Sequence, residues 1–156
     1  MAKPKSFKDL LLGILFMAIL GGIAYGIAWL VQTDPEPGDI MVYSGEAEVT
    51  ALQRVIDEQQ KRKGSVAGEE RFEIETDAEN FPVVNMEKSI MLEATQDPIS
   101  DMYYTVYEED GDELYYRSIF FEYPEEPGTY YVVIDTMWGR RDHHFTTQHG
   151  FTLVME

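Results

Sequence analysis

Residues 128–138, GTYYVVIDTMW, are the stretch that decides the fold. Threonine, tyrosine, valine and isoleucine dominate it, and these residue types favour β-strands. Asp135 interrupts the apolar run, and we expect it to face water. Because side chains alternate across a strand, that placement turns the even-numbered residues inward. The residues predicted to enter the core are Tyr130, Val132, Ile134 and Trp138.

Shorter segments of the same kind lie on both sides of this stretch. The last one, 150–155, places Phe151, Leu153 and Met155 on one face. An Asp110-Gly111 turn between two aromatic-rich segments predicts a hairpin. The other predicted strands are 40–43, 72–75, 83–86, 89–94, 102–108 and 113–122. We therefore predict a mainly β domain built as an antiparallel sandwich of about seven strands.

One segment near the start of this domain breaks the β pattern. In residues 46–63, Val49, Leu52 and Ile56 recur at spacings of three and four, with polar residues between them. Lys61-Arg62-Lys63 suits a helix C-terminus, and Gly64 suits a stop. The pattern predicts one amphipathic helix inserted near the start of the sandwich.

Residues 126–130, EPGTY, resemble the acid-x-Gly-x-Tyr start of the penultimate strand in immunoglobulin-like and fibronectin-like domains. The resemblance covers 126–155 and implies a tyrosine corner, in which the Tyr130 hydroxyl bonds the backbone a few residues upstream. The chain has no cysteine, which excludes the disulfide-linked antibody type. A resemblance at this level implies a fold and carries no function by itself.

The N-terminal part of the chain is of a different character. Residues 10–31, LLLGILFMAILGGIAYGIAWLV, form an uncharged run of 22 residues. A helix of that length spans roughly 33 Å, which is enough to cross a hydrocarbon core of about 30 Å. Lys3, Lys5 and Lys8 precede the run, so the positive-inside rule places the N-terminus in the cytoplasm. A cleaved signal peptide is the alternative, but its apolar part is normally shorter and ends at a small-residue site.

These features divide the chain into four parts. We predict a cytoplasmic basic head (1–9), a transmembrane helix (10–31), a Pro-containing linker (32–38) and an extracytoplasmic β-sandwich domain (39–156). The protein is thus expected to be a single-pass protein of the cell membrane, with the lipid bilayer as one partner.

Small residues recur at every fourth position within the apolar run. Ala18, Gly22 and Gly26 share one helix face, and small residues allow two membrane helices to approach closely. This face is a candidate for a homodimer contact or for docking onto a larger membrane complex. Glycine is also simply common in membrane helices, which is the competing interpretation.

The negative charge of the residues after the apolar run disfavours binding to nucleic acids. The chain carries a net charge of −17 at pH 7, and 28 of its 29 Asp and Glu residues follow the apolar run. Such a domain repels phosphate backbones, so we predict no nucleic-acid partner.

All three histidines fall between the last two predicted strands. Asp142, His143, His144 and His149 could supply ligands to a divalent metal, because imidazole is the commonest metal ligand in proteins. An exposed polar loop is the competing interpretation. Residues 108–113, EEDGDE, could bind calcium through oxygen atoms, but they lack the twelve-residue EF-hand pattern, and a solvated turn is favoured.

A binding surface is the remaining candidate for function. Tyrosines alternate along the predicted strands, and tyrosine-rich faces are typical of binding sites or of cross-strand pairs that stabilise a sheet. The residues proposed for this surface are Tyr103, Tyr107, Tyr115, Tyr131, Arg140 and Arg141. No catalytic motif such as G-x-S-x-G, HExxH or a P-loop is present. We therefore predict a binding or accessory module without a cofactor; the alternatives are a metal-binding or sensing domain and an auxiliary subunit of a membrane complex.

Overall fold

A computed structural model describes residues 7–30 and 35–156, and within the first of these ranges it describes side chains for 11–27. Residues 1–6 of the predicted head, Val31 of the predicted transmembrane helix and 32–34 of the predicted linker lie outside the described residues. The chain divides into two compact units between Asp34 and Pro35.

The first unit contains one helix, α1 (Phe7–Leu30). Leucine, alanine and methionine supply much of its sequence, and these residues favour helices. No helix among the described residues combines the length and the apolar character that a membrane span requires. The predicted transmembrane helix is therefore not supported by the structure.

The second unit is mainly β, as the sequence predicts. Its ten strands are β1 (Ile40–Ser44), β2 (Ala47–Thr50), β3 (Leu52–Gln60), β4 (Gly64–Ala67), β5 (Val83–Met86), β6 (Met91–Ala94), β7 (Tyr103–Glu108), β8 (Glu113–Ser118), β9 (Gly128–Arg140) and β10 (His143–Met155). A short helix, α2 (Ile74–Asp77), and one 3₁₀ turn, Ala78–Asn80, lie between β4 and β5.

The strands form two sheets of unequal size. The small sheet has the order β2-β1-β6, and the large sheet has the order β4-β3-β10-β9-β7-β8. Strand β5 joins the large sheet by pairing with the second half of β10. That pairing is parallel, so the prediction of a purely antiparallel arrangement is wrong at this strand.

Strands β9 and β10 form the longest hairpin, with an unbroken register from His143 opposite Arg140 to Met155 opposite Gly128. One face of this hairpin lies against the small sheet. The core between them includes Val132, Ile134 and Trp138 of β9, all fully buried, together with Ile40 and Val42 of β1. The predicted inward face of residues 128–138 is confirmed, and so is the shared face of Phe151, Leu153 and Met155.

The predicted tyrosine contact is also present. The Tyr130 hydroxyl donates to the Glu126 carbonyl oxygen at 2.8 Å, four residues upstream. The Asp110-Gly111 hairpin is confirmed as well, because β7 and β8 pair across it and Gly111 N–H donates to the Glu108 carbonyl.

The helix predicted over residues 46–63 is wrong, because this segment forms β2 and β3. Strand β3 lies between β4 and β10, and pairing on both sides satisfies its backbone groups. Every residue of β3 is half-buried, which suits a strand that includes Val55 and Ile56. Gly64 ends a turn rather than a helix, and its φ of +74° suits glycine there.

The strand predicted over residues 72–75 is also wrong. This segment leads into α2, where the Asp77 carboxylate accepts from the Glu73 backbone N–H at 2.8 Å. Together with the 3₁₀ turn, it covers part of the second face of the large sheet. Phe81 and Ala78 are buried there against Val133.

This second cover changes the placement of Asp135. The sequence predicts that Asp135 faces water, but its residue exposure is only 8%. The alternation itself holds, since Asp135 lies on the opposite face from Ile134. That face is covered by residues 71–81 instead of solvent, so the prediction of an exposed carboxylate is wrong.

A substitution at Gly150 tests how closely residues 71–81 pack on the sheet. A Cβ at this position would overlap the Phe81 ring. Gly150→Ala should therefore lower the free energy of unfolding by about 1–3 kcal/mol, the usual cost of overpacking. Urea unfolding of the full chain would measure this change.

A Phe81→Leu background provides the control for that change, because the smaller side chain leaves room for a methyl group. The cost of Gly150→Ala should fall in this background. An equal cost in both backgrounds would show that Phe81 does not lie over Gly150.

Candidate functional site

A groove crosses the second face of the large sheet beside residues 71 and 72. Its volume is about 370 Å³, within the usual range for small-ligand sites. Aromatic rings, two arginines and a buried carboxylate line it: Arg71, Phe72, Thr105, Tyr107, Tyr116, Arg117, Asp135 and Gln148. We call this feature the arginine groove.

A buried polar network forms the floor of the arginine groove. Asp135 and Gln148 face each other across β9 and β10, and Gln148 Nε2 donates to Asp135 Oδ1 at 3.2 Å. Gln148 Oε1 accepts from the Phe72 backbone N–H at 2.8 Å. Arg71 Nη1 lies 2.6 Å from Asp135 Oδ1. These contacts hold Arg71 in place although its side chain is 54% exposed.

A bulge in β8 places the second arginine. Tyr104 pairs with Ser118 and Val106 pairs with Tyr115, so Tyr116 and Arg117 both lie opposite Thr105. Arg117 has a φ of +48°, which is uncommon for any residue other than glycine. The Thr105 hydroxyl accepts from the Arg117 backbone N–H at 3.4 Å. The bulge therefore directs two consecutive side chains to the groove side of the sheet.

The predicted tyrosine surface is brought together only in part. Tyr103, Tyr107 and Tyr131 lie on the groove face of β7 and β9, and Tyr103 stacks under the Arg117 guanidinium at 4.8 Å. Tyr115 instead packs against the core. Arg140 and Arg141 lie at the β9–β10 turn, where Arg140 Nε is 3.9 Å from Asp142 Oδ1.

Three of the four predicted metal residues lie on a strand, and Asp142 lies in the turn before it. His143, His144 and His149 belong to β10, which corrects the prediction of a loop before residue 150. His143 Nε2 contacts Glu58 Oε1 at 2.8 Å, whereas His149 is fully buried in the core. Within residues 7–30 and 35–156, no group of three metal-binding side chains is placed to hold an ion. The metal hypothesis gains no support from this arrangement.

His149 belongs to a buried hydrogen-bonded chain. Trp138 Nε1–H donates to Thr147 Oγ1 at 2.7 Å, and Thr147 Oγ1 lies 2.9 Å from His149 Nε2. Since Thr147 accepts from Trp138, its own proton can go to His149 Nε2. Burial lowers the pKa of His149 to about 4. His149 is therefore a neutral part of the core at neutral pH.

The acidic segment 108–113 forms the turn that the sequence favours. Glu108 N–H donates to the Asp112 carbonyl at 2.8 Å. A depression of about 440 Å³ beside this turn is larger than the arginine groove, but Glu108, Glu109 and Asp110 supply its only charged side chains. We prefer the arginine groove, because it combines opposite charges with aromatic rings.

The small-residue face of α1 is open among the described residues. Apart from the chain neighbours and the backbone of the helix itself, no described atom lies within 4 Å of a Cβ built at Gly22 or Gly26. Ala18 lies four residues before Gly22 on the same helix. The helix-packing hypothesis stays a prediction.

Sequence reasoning missed most of the arginine groove. Asp135 and Gln148 could have been found, since a lone acid in an apolar strand and a Gln in its hairpin partner suggest a buried polar pair. Arg71 lies 64 residues before Asp135, and no local pattern connects them. The position of Arg117 depends on a β-bulge, and no local sequence pattern predicts this bulge.

Comparisons with known protein families, with curated proteins and with solved structures find no match to this chain. The fold and the arginine groove therefore carry the functional argument.

Because His149 is buried, we predict that the stability of the folded chain depends on pH. The pKa of His149 is about 4 in the folded chain and about 6.5 when unfolded, so the unfolded state takes up the proton first as pH falls. The contribution of neutral His149 to the free energy of unfolding is complete above about pH 6.5. This contribution decreases towards pH 4, by about 3 kcal/mol in all. Unfolding midpoints between pH 7 and pH 4.5 would measure it.

The matched comparison uses two histidines of the same strand. His149→Gln should flatten this part of the pH dependence, whereas His144→Gln should keep it. Equal pH dependence in the wild type and His149→Gln would show that His149 does not titrate with a lowered pKa.

Proposed function

We propose that this protein is a membrane-anchored, non-catalytic binding module whose extracytoplasmic β domain holds its partner in the arginine groove. The observation that carries this proposal is the fixed position of Arg71. Its contact with Asp135 uses one of five N–H donors, and more than half of its side chain faces the groove and solvent. A preorganised, exposed arginine next to aromatic rings is typical of binding sites.

The chemistry of the arginine groove favours binding over catalysis. Asp135 is already paired with Arg71 and accepts from Gln148, so it is poorly suited to act as a base. The Thr105 hydroxyl faces the Arg117 backbone N–H. His149 lies on the core face of β10, opposite to the groove. Among the described residues, the groove therefore offers no nucleophile beside an activating base.

The anchor proposal rests on the sequence run 10–31 and on the surface of α1. The run continues to Val31, beyond the last described residue of the helix. Large apolar side chains from Leu11 to Ile27 are about half exposed or more. Burial in lipid would remove this apolar surface from water, and Lys3, Lys5 and Lys8 favour a cytoplasmic N-terminus.

The immunoglobulin-like identity of the domain is also a proposal. The Tyr130–Glu126 hydrogen bond and the two-sheet core support it. The parallel β5–β10 pair departs from the usual all-antiparallel arrangement. The proposed function does not depend on this identity.

A photo-cross-linker at position 116 tests the groove as a binding surface. Tyr116 is 68% exposed and lines the groove, while Met91 is 59% exposed on the edge strand of the small sheet. With benzoylphenylalanine introduced into the full chain in its own membranes, we expect a discrete adduct from position 116 and none from position 91. The adduct should weaken several-fold with Arg117→Asn.

Asparagine is the chosen replacement because it tolerates a positive φ better than most residues. Equal labelling from positions 116 and 91, or an adduct that is indifferent to Arg117→Asn, would overturn the groove as the binding surface.

Carbonate washing of membranes tests the anchor. The wild-type chain should stay in the pellet, because a membrane-spanning helix is not removed by high pH. Ile19→Arg with Ile23→Arg should release it, since each central arginine costs roughly 2.5–3.5 kcal/mol on insertion scales. Ile19→Leu with Ile23→Leu is the control and should stay in the pellet. Release of the wild-type chain would contradict the anchor.

A further inference from the structure

The two arginines of the arginine groove are held by different devices. Arg71 is fixed from below by Asp135, and that carboxylate is fixed in turn by Gln148. Arg117 is fixed by the β8 bulge and by stacking on Tyr103. Both side chains line the same groove. The φ of +48° strains the Arg117 backbone, and residues strained in this way cluster at functional sites.

We propose that the arginine groove recognises a carboxylate group whose carrier has an aromatic or apolar side chain. This inference rests on the proposed function and names the ligand class of that same site. Arg71 and Arg117 bind the carboxylate oxygens, and the neighbouring side chain lies against Tyr107 and Tyr116. The carboxylate can belong to the C-terminus of a peptide or to a Glu or Asp side chain, and the test separates these two sources.

The guanidinium groups explain why the ligand is anionic. Planar guanidinium matches a carboxylate with two parallel N–H donors, and such charge-assisted bonds are roughly twice as strong as neutral ones. The groove is also an exception in a chain of net charge −17. An anion can therefore bind here although most of the surface would repel it.

The surroundings of the groove favour a carboxylate over a phosphate dianion. Asp135 lies on its floor, and Glu113 lies close by. Burial raises the pKa of Tyr107, and the charges of Glu113 and Asp135 raise it further, whereas the charge of Arg71 lowers it. The charged residues that line the groove are Arg71, Arg117 and Asp135, which together carry a net charge of +1. One carboxylate neutralises this charge, whereas a phosphate dianion would leave an excess negative charge in a chain that is already acidic. A single negative charge suits the site better.

The aromatic lining and the size of the groove set the rest of the ligand. Phe72, Tyr107 and Tyr116 provide apolar surface beside the charges. A volume of about 370 Å³ lies at the lower end for small-molecule sites. It fits one or two amino-acid residues rather than a long chain segment.

Titration of the full chain in detergent micelles with four compounds tests this inference. The compounds are N-acetyl-phenylalanine, its uncharged amide, acetyl-Phe-Glu-amide and phenyl phosphate. Arginine Nε–Hε signals in NMR spectra report binding at Arg71 and Arg117 directly. We expect saturable shifts with N-acetyl-phenylalanine or acetyl-Phe-Glu-amide, and at least about tenfold weaker binding of the uncharged amide and of phenyl phosphate. The tighter of the two carboxylates identifies the source.

Four variants control the titration. Arg117→Asn keeps a residue that tolerates the bulge and should raise the Kd of the better carboxylate at least about tenfold, whereas Arg117→Lys should raise it less. Arg71→Gln should also raise it, and circular dichroism would show whether its β signal is kept. Arg62→Gln removes a charge from the exposed β3–β4 turn and should change nothing.

Equal or tighter binding of the uncharged amide or of phenyl phosphate would overturn the carboxylate assignment. An unchanged Kd in Arg117→Asn would overturn it as well. A cross-link from position 116 without binding of either carboxylate would leave the binding module standing and refute only the ligand class.

Discussion

The β domain depends on the register of the β9–β10 hairpin. Its unbroken pairing from His143–Arg140 to Met155–Gly128 assigns every residue of both strands to one of two faces. One face builds the core with the small sheet, and the other carries the floor of the arginine groove. A slip by one residue would exchange the two faces and would bury Gln148 in the core.

Each face of the hairpin carries a buried polar arrangement, and the two arrangements differ in charge. On the core face, Trp138, Thr147 and His149 form a chain of neutral groups. On the other face, the Asp135 carboxylate pairs with the Arg71 guanidinium. The neutral chain is buried in the core, whereas the Arg71–Asp135 pair lines the arginine groove, where Arg71 is half exposed. This difference explains why binding is assigned to the second face.

Local patterns made part of this structure predictable. Alternation in residues 128–138 identifies β9 and its core face, and EPGTY predicts the Tyr130 contact. The helix prediction for residues 46–63 is wrong because apolar residues at spacings of three and four also fit a strand whose two faces are both half-buried. Pairing with β10, which is distant in sequence, stabilises a strand here instead of a helix. The arginine groove depends on such contacts throughout, since Arg71 reaches Asp135 from 64 residues away and Arg117 depends on a bulge.

Backbone NMR of the full chain tests the hairpin register most directly. The account predicts cross-strand nuclear Overhauser effects that connect Asp135 with Gln148 and Ile134 with His149. Effects that connect Asp135 with Thr147 or His149 as its direct partner would show a register shifted by one residue. That result would place Asp135 and Gln148 on different faces, and it would contradict both the core and the arginine groove.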